Sequence, residues 1–171
     1  MADIMAEKKF IYAPDIPEVF RCRVPLAGTV QAFVTNGNLR EEIMPAPGVT
    51  VRTEADGKGF FLNVEKGSTL KESIQIISFR DSSDTSDIIF PGRITFGEDT
   101  ATDILLCTHT LSLDSFKTEE DINISVGKGA KAEIVVMQNE HNESDHTVRF
   151  FIDVEQGGSM RINVITLHGA H

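Results

Sequence analysis

The sequence contains no tryptophan, a single tyrosine and only two cysteines, Cys22 and Cys107, which lie far apart along the chain. Two distant cysteines do not make the framework of a small disulfide-stabilised secreted domain. The first residues, MADIMAEKKFIY, hold no apolar stretch of signal-peptide length. No apolar run approaches the roughly 20 residues of a membrane span. We therefore expect a cytoplasmic protein that does not enter a membrane.

Positive charge is also scarce. The chain carries 16 Lys and Arg residues against 26 Asp and Glu residues, so its formal net charge is −10. Such a chain repels nucleic acids and anionic membrane surfaces, and neither is expected as a partner. Hydrophobic residues make up 40% of the 171 residues, which is enough for the core of one domain.

An internal repeat is the most informative feature of the sequence. Apolar residues recur at intervals of 32, 30 and 28 residues, at Val64, Phe96, Val126 and Val154. A residue suited to a turn follows three positions after each of them, at Gly67, Asp99, Gly129 and Gly157. Aliphatic residues recur two positions before them, at Leu62, Ile94, Ile124 and Ile152. They recur again ten positions after them, at Ile74, Leu106, Val136 and Val164.

This pattern predicts a repeating unit of strand, tight turn and strand. Residues at even offsets share one face because the side chains of a strand alternate with period 2. Stacked units then place like residues in apolar columns about 4.8 Å apart, burying a core that one unit cannot bury alone. We predict an all-β fold, a right-handed parallel β-solenoid of about four coils. An antiparallel sandwich fits the alternation but leaves the fixed turn position in four successive units unexplained.

Two parts of the chain fall outside these columns. Polar segments after each second strand are expected to form a variable third side of the coils, at 78–92, 108–121 and 137–148. Residues 1–57 do not follow the repeat, and we expect them to form a short N-terminal arm with strands and one helical turn near Leu39–Ile43. The solenoid core then spans residues 58–171.

The outward face of each second strand is unusually apolar. It carries Ile77, Leu105, Val135, Met137, Ile165 and Leu167 at odd offsets from the repeat. A contiguous apolar face of this kind is rare on a solvent-exposed surface. We therefore expect the N-terminal arm or a partner to cover it.

Cys107 and His109 form the first candidate site for a metal. Residues two apart on a strand point the same way, and a thiolate with an imidazole suits a soft metal or a cluster. A site needs more than two ligands, however, and free cysteine commonly behaves as a small hydrophobic residue. The competing interpretation is a thiol and an imidazole within the covered outer face.

The segment from His141 to His146 is the second candidate. It holds two histidines together with Glu143 and Asp145, a set that could bind zinc or a similar ion. The alternative is a solvated loop tip, where such residues commonly gather.

Motifs of catalysis are otherwise missing. The stretch GKGAK at 127–131 lacks the full pattern of a phosphate-binding loop and falls at a strand turn. Neither a Gly-x-Ser-x-Gly elbow nor a His-Glu-x-x-His pair is present. We expect that the chain is not an enzyme and has no intrinsic cofactor. A carbohydrate-active β-helix enzyme is disfavoured because no aromatic- or carboxylate-lined groove is evident.

Several segments resemble one family in their order and spacing. They are IPEVFRC (16–22), FFLNVEKG (60–67), LKESIQI (70–76), GRITFGEDTATDILLC (92–107), INISVGKGAKAEIVVMQNE (122–140) and SMRINVITLHGAH (159–171). Together they are similar to the N-terminal part of the core of SufB/SufD proteins, and most of all to SufD-like scaffolds of iron–sulfur cluster assembly.

The resemblance implies a role in a complex rather than a reaction. SufD-like proteins assemble with a SufB-like protein and a SufC-like ABC ATPase, and the iron–sulfur cluster belongs to the whole complex. Family members are much longer, so we expect the core here to be truncated at its C-terminal end, and no functional residue is carried over. The alternative function is a self-associating β-solenoid, a possible homodimer, that binds a metal or another ligand without a role in cluster assembly.

Overall fold

The computed structural model describes residues 29–42, 46–55, 57–110, 115, 117–140 and 144–168. Within these ranges the chain forms eleven β-strands and no helix. The strands are β1 Gln31–Thr35, β2 Asn38–Glu42, β3 Val49–Arg52, β4 Phe60–Val64, β5 Ile74–Arg80, β6 Ile88–Phe96, β7 Ala101–Thr110, β8 Lys117–Val126, β9 Lys131–Asn139, β10 Asp145–Val154 and β11 Ser159–His168.

The strands form two sheets in which the chain alternates from one sheet to the other. One sheet has the order β11-β9-β7-β5-β1-β2 and the other has the order β10-β8-β6-β4-β3. From β4 to β11, every pairing within a sheet is parallel. The predicted parallel β-solenoid is therefore confirmed. We number its strand pairs as coil 1 (β4–β5), coil 2 (β6–β7), coil 3 (β8–β9) and coil 4 (β10–β11). The chain makes three full turns between β4 and β10.

The register of the coils matches the sequence repeat except in β5, where Ile76 and not Ile74 lies opposite Leu106. Leu62 lies opposite Ile94, which lies opposite Ile124, which in turn lies opposite Ile152. In the other sheet Val136 lies opposite Leu106 and Val164. These inward residues are fully buried in the first three coils. Each such aliphatic side chain contributes about 1.5–3 kcal/mol by its removal from water.

The turn position of the repeat adopts a backbone conformation that few residues tolerate. The φ angles are 74° at Gly67, 56° at Asp99, 68° at Gly129 and 76° at Gly157. Glycine enters this left-handed region without a steric cost, and aspartate is among the residues that do so most readily. The fixed offset of these residues in the sequence is therefore the signature of one turn geometry repeated in every coil.

The predicted third side is wrong. The three segments assigned to it mostly extend the flanking strands, because β5, β7 and β9 continue to Arg80, Thr110 and Asn139. What remains between sheets is short, namely 81–87, 111–116 and 140–144. The polar residues of these segments misled the prediction, because several of them alternate inward at the strand ends and are buried inside the coil.

The described part of the N-terminal arm extends both sheets. β1 pairs in parallel with β5, β2 pairs antiparallel with β1, and β3 pairs antiparallel with β4. Residues 39–42 lie in β2, so the expected helical turn is wrong over that range, while Ile43 lies outside the described residues. Asn36 and Gly37 both have positive φ and join β1 to β2 through two residues, the geometry of a tight hairpin.

The outward apolar face is covered over only part of its extent. Ile77 and Cys107 are buried, and Leu105 and Met137 are partly buried. Further along the sheet, Ile165 and Leu167 are exposed within the described chain, so the covering of β11 by a partner or by the rest of the arm stays a prediction. The described arm residues extend the sheet at its edge, and residues 1–28, the rest of the proposed cover, lie outside the described part of the chain.

Candidate functional site

A polar cluster fills the interior of the solenoid at the end opposite the glycine turns. There the inward positions, which are aliphatic along the rest of each strand, become polar or charged. The residues are Arg80, Thr110, Thr118, Glu120, Glu140 and His146, and we call them the corner cluster. All are buried or have buried side chains. Strand alternation directs them inward, since each continues the even-numbered series of its coil.

His146 lies at the centre of the corner cluster. Its Nε2 atom is 3.0 Å from Glu120 Oε1, and its Nδ1 atom is 3.1 Å from Glu140 Oε1. The imidazole side chain is only 5% exposed, and the two carboxylate side chains are 4% and 9% exposed. Both ring nitrogens thus lie close to acidic oxygens, although only Nε2 has hydrogen-bond geometry. The two nearby carboxylates favour the doubly protonated imidazolium.

The titration of the cluster follows from these contacts. Burial by itself lowers the pKa of His146, but the contacts with Glu120 and Glu140 outweigh it and raise the pKa to about 10. Burial by itself raises the pKa of Glu140, yet its contacts with His146 and Thr110 leave that pKa below the ordinary value. At neutral pH the site therefore holds an imidazolium ion between two acidic side chains.

Arg80 supplies the second positive charge. Its guanidinium donates to Thr118 Oγ1 at 3.2 Å and to the carbonyl oxygens of Asp84 and Ser86 at 3.0 and 2.7 Å. Burial lowers its pKa, while neighbouring acidic groups partly oppose the shift. An arginine side chain remains charged even so. The two cations therefore balance the two glutamates.

The space within the corner cluster is too small for a substrate. The residual cavity has a volume of about 10 Å³, which is room for about one water molecule. Small-molecule sites usually have volumes of about 300–1,000 Å³. The arrangement holds charges in place inside the coil, and among the described residues the cavity beside His146 is too small to admit a reacting molecule.

A second concave region crosses the first residues of β7, β9 and β11. It is a groove of about 430 Å³ with a floor that includes Ala101 and Ala132. Its lining contains no aromatic residue, and its charged residues Asp103, Lys131, Glu133 and Arg161 are of both signs. Such a lining lacks the stacking platforms and convergent carboxylates expected of a carbohydrate-active groove.

The predicted metal ligands do not form one site. Cys107 and His109 lie on the same outward face, as their spacing predicts, and His109 Nδ1 lies 3.3 Å from Asn139 Nδ2. His146 instead faces the interior, and His141 lies outside the described residues. Over the described ranges, no three His, Cys, Asp or Glu side chains are placed to hold a metal ion. Metal binding by these four residues stays a prediction.

Arg80, Glu120 and Glu140 were missed by the sequence analysis. Each sits where a strand enters or leaves a polar segment, and composition alone makes such positions look like solvated loop. The usable signal was the alternation itself. Arg80 and Glu140 continue the even-numbered inward series of their strands beyond the aliphatic part, and Glu120 precedes the aliphatic part of the series of β8.

Coil 4 leaves its inner face uncovered. Ile152, Val154 and Val164 continue the buried columns of coils 1–3 but are 48%, 43% and 59% exposed. β10 and β11 are the last strands of their sheets, so within the described chain each pairs on one side only. An open strand edge with an apolar face beside it is a surface to which another strand can be added.

Comparisons with family models, curated proteins and solved structures found no match for this chain. Over the described ranges, no helix is both long enough and apolar enough to cross a bilayer.

Proposed function

We propose that this protein is a non-catalytic scaffold subunit of a Suf-type iron–sulfur cluster assembly complex, which supports cluster formation together with SufB-like and SufC-like proteins. The iron–sulfur cluster is a product of the complex and is not a resident cofactor of this chain. The chain contributes a rigid solenoid and a binding edge, while the SufC-like partner contributes ATP hydrolysis.

The distribution of the family-like segments over the fold supports this proposal. Residues 60–67 and 70–76 cover most of coil 1, 92–107 cover most of coil 2, and 122–140 cover most of coil 3. Four of the six segments therefore map onto coils 1–3 in chain order, and a fifth contains β11 of coil 4, as expected if the resemblance extends over a solenoid. The agreement between the order of the segments and the order of the coils supports the resemblance more strongly than segments distributed over unrelated elements would.

The uncovered face of coil 4 is the observation that carries the proposal. Its inward side chains beyond His146 are mostly apolar, β10 and β11 each pair on one side only within the described chain, and both strands are 10 residues long. A partner that adds strands to these edges would extend both sheets and bury the exposed columns. A scaffold subunit needs such a surface. Of the two concave regions described above, the corner cavity is too small for a substrate, and the groove over β7, β9 and β11 has neither aromatic residues nor convergent carboxylates in its lining.

Binding to purified SufB-like and SufC-like proteins from the same organism tests the proposal. The chain should form a complex that survives gel filtration and native mass spectrometry. Ile152→Asp should weaken this complex at least about 30-fold, because burying an unpaired charge at an interface costs about 2–5 kcal/mol. Phe151→Asp is the matched control, since Phe151 is similarly exposed, at 52% against 48%, but alternates to the outward face.

Two results would contradict the proposal. One is the absence of binding to both partners under conditions in which the two partners bind each other. The other is an equal loss for Ile152→Asp and Phe151→Asp, which would move the interface away from the inner face of coil 4.

The alternative, a self-associating solenoid, uses the same edges. Two copies that meet at coil 4 across a two-fold axis would bury Ile152, Val154 and Val164 in a self-complementary interface. Sedimentation analysis of the chain alone distinguishes the two functions. A tight homodimer that resists both candidate partners favours the alternative, and a monomer that binds them favours the scaffold.

A further inference from the structure

The apolar core does not by itself determine the register in which coil 4 pairs with coil 3. A slip of β10 by one residue along β8 would turn every inward side chain outward, and the loss of burial forbids it. A slip by two residues keeps inward residues inward. After a slip in either direction, two of the three residues Phe150, Ile152 and Val154 would still lie opposite aliphatic residues of β8, so the aliphatic columns discriminate poorly between these registers.

The glycine turns add little discrimination at this junction. Between coils 2 and 3 the Asp99 side chain packs against Gly129, where a Cβ atom would lie 2.5 Å from Asp99 Oδ1. Between coils 3 and 4 the two turn positions are Gly129 and Gly157, and neither has a side chain that could interlock. At the turn one hydrogen bond to a side chain crosses this junction, from the Lys128 N–H to Glu155 Oε2, and on the exposed outer face Arg149 pairs with Glu119 and Asp121. The buried polar contacts between coils 3 and 4 lie at the opposite end.

The corner cluster stands at that end and connects coil 4 to coil 3. His146 belongs to β10, whereas Glu120 lies in the inward series of β8 after Thr118, and Glu140 follows the end of β9. Coil 3 thus contacts His146 of coil 4 through two residues, Glu120 on the β8 side and Glu140 on the β9 side. His146 lies opposite Thr118 in the ladder and reaches its two glutamates from there.

A slip by two residues would break this arrangement in either direction. Each residue advances a strand by about 3.3 Å, so the slip displaces His146 by about 6.6 Å. A slip toward the turns places His146 opposite Glu120 in the ladder and carries the imidazolium away from Glu140. A slip the other way carries it away from Glu120 and past the start of β8. Either movement leaves a buried charge without its partner, which is far more costly than shifting one aliphatic side chain over another.

The same cluster continues through the earlier coils. Thr110 of coil 2 donates a hydrogen bond to Glu140 of coil 3. Arg80 of coil 1 donates to Thr118 of coil 3. The polar contacts therefore span all four coils at one end of the solenoid, while the other end is held by repeated turns of nearly identical geometry.

We propose that the corner cluster is a register lock: the ion pairs of His146 with Glu120 and Glu140 select one alignment of coil 4 on coil 3 among those that the aliphatic columns tolerate. This inference is independent of the scaffold role. It assigns the buried charges a function in structural specificity, where paired polar groups inside an apolar interface select one alignment over others.

Disulfide trapping tests the lock directly, in a background in which Cys22 and Cys107 are replaced by serine and alanine. Ser125 and Asp153 are outward, exposed and directly opposite each other. The pair S125C/D153C therefore reports the native register. The pairs S125C/F151C and N123C/D153C report the two slips, because their Cα atoms lie about 8 Å apart in the native register and only a slip brings them within the roughly 4.4–6.8 Å that a disulfide spans.

With the lock intact, only the native pair should form an intramolecular disulfide. The triple variant E120L/E140L/H146L removes the ion pairs together and leaves none of these three charges unpaired. In it, we expect at least one slipped pair to form tenfold more than with the intact lock. Mixing chains of two isotopic compositions separates intramolecular from intermolecular disulfides by mass spectrometry. Ile124→Ala is the matched control, because it loosens the β8–β10 core while keeping the lock, and it should leave the slipped pairs at background.

A folded triple variant that traps only the native pair would overturn the proposal, as would slipped pairs that form equally in Ile124→Ala. If the triple variant does not fold, E120Q/E140Q/H146Q replaces it, since its side chains remain polar but carry no charge. The proposal then requires the slipped pairs to rise above background in the glutamine variant, and their absence there overturns it.

Discussion

His146 of β10 and Glu120 of β8 face each other inside the solenoid, with 3.0 Å between Nε2 and Oε1 and 5% or less of either side chain exposed. The two residues are 26 positions apart in the sequence and meet only because coil 4 stacks on coil 3. Burial makes the pair sensitive to the loss of either member, since the remaining charge would stay in a medium of low polarity.

Removal of the imidazole should therefore destabilise the protein strongly. His146→Ala leaves Glu120 and Glu140 buried without their cation, and we expect a loss of about 3–5 kcal/mol in the free energy of unfolding. Urea unfolding followed by circular dichroism measures it. Asp145→Ala, at the exposed neighbouring position, should change the free energy by less than about 0.5 kcal/mol. A similar small effect for both variants would contradict the buried ion pair.

Stability should depend on pH in a way set by His146. Its folded pKa, about 10, lies above the unfolded value of about 6.5, so its contribution is complete below pH 6.5 and decreases as the pH rises toward 10. Glu140 has a lowered pKa, so its contribution is present above about pH 4.5 and is lost on further acidification. Thermal unfolding between pH 4 and 10 should show these losses on both sides. In the E120L/E140L/H146L variant the alkaline loss should be much smaller, and an unchanged alkaline slope would contradict this assignment.

The contact between Asp99 and Gly129 gives a third test. Gly129→Ala places a Cβ atom 2.5 Å from Asp99 Oδ1 at a position with φ 68°, and the left-handed backbone alone costs about 1–2 kcal/mol. Gly67→Ala carries a similar backbone cost, but no atom lies within 4 Å of its Cβ position. We expect Gly129→Ala to be the more destabilising of the two in urea titrations.

A double-mutant cycle isolates the steric part of that difference. In the background of Asp99→Gly, which removes the neighbouring carboxylate, Gly129→Ala should cost no more than Gly67→Ala. If the excess cost of Gly129→Ala persists in that background, its origin does not lie in the contact with Asp99.

A close fit between Phe60 and Gly92 gives the fourth test. The two residues are opposite each other in the β4–β6 ladder, and a Cβ atom on Gly92 would lie 2.9 Å from Phe60 Cζ. Gly92→Ala should destabilise the protein by about 1–3 kcal/mol, the usual cost of overpacking. Combination with Phe60→Leu should cost less than the sum of the two single changes, and strict additivity in urea titrations would show that the ring and the glycine are not coupled.

The parts of the fold that the sequence predicted are those set by local periodicity. Ile94 and Ile124 could be assigned to one buried column, because both strand alternation and coil length follow from the spacing of residues along the chain. Asn36-Gly37 was also readable, since such a pair between apolar runs is a strong hairpin signal, yet the repeat-based analysis passed over it.

The candidate site could not be predicted in the same way. Whether His146 meets Glu120 depends on how two coils align, and the repeat length changes from 32 to 30 to 28 residues. Arg80 shows a related difficulty, because a charged residue at a strand end is normally solvated and becomes an interior residue only when the coil closes over it. Charge pairing across coils is a tertiary property that spacing in one chain does not encode.

The hairpin of β1 and β2 bears on how the chain acquires its structure. These strands are joined by Asn36 and Gly37 alone, whereas each parallel pair of the solenoid joins residues about 30 positions apart. Contacts between distant residues form slowly because a long loop must close first. The hairpin can therefore form early and serve as a template on which β5 docks, after which each coil adds to the one before it. During synthesis the coils leave the ribosome in this same order, so each coil is available for pairing before the next coil is complete.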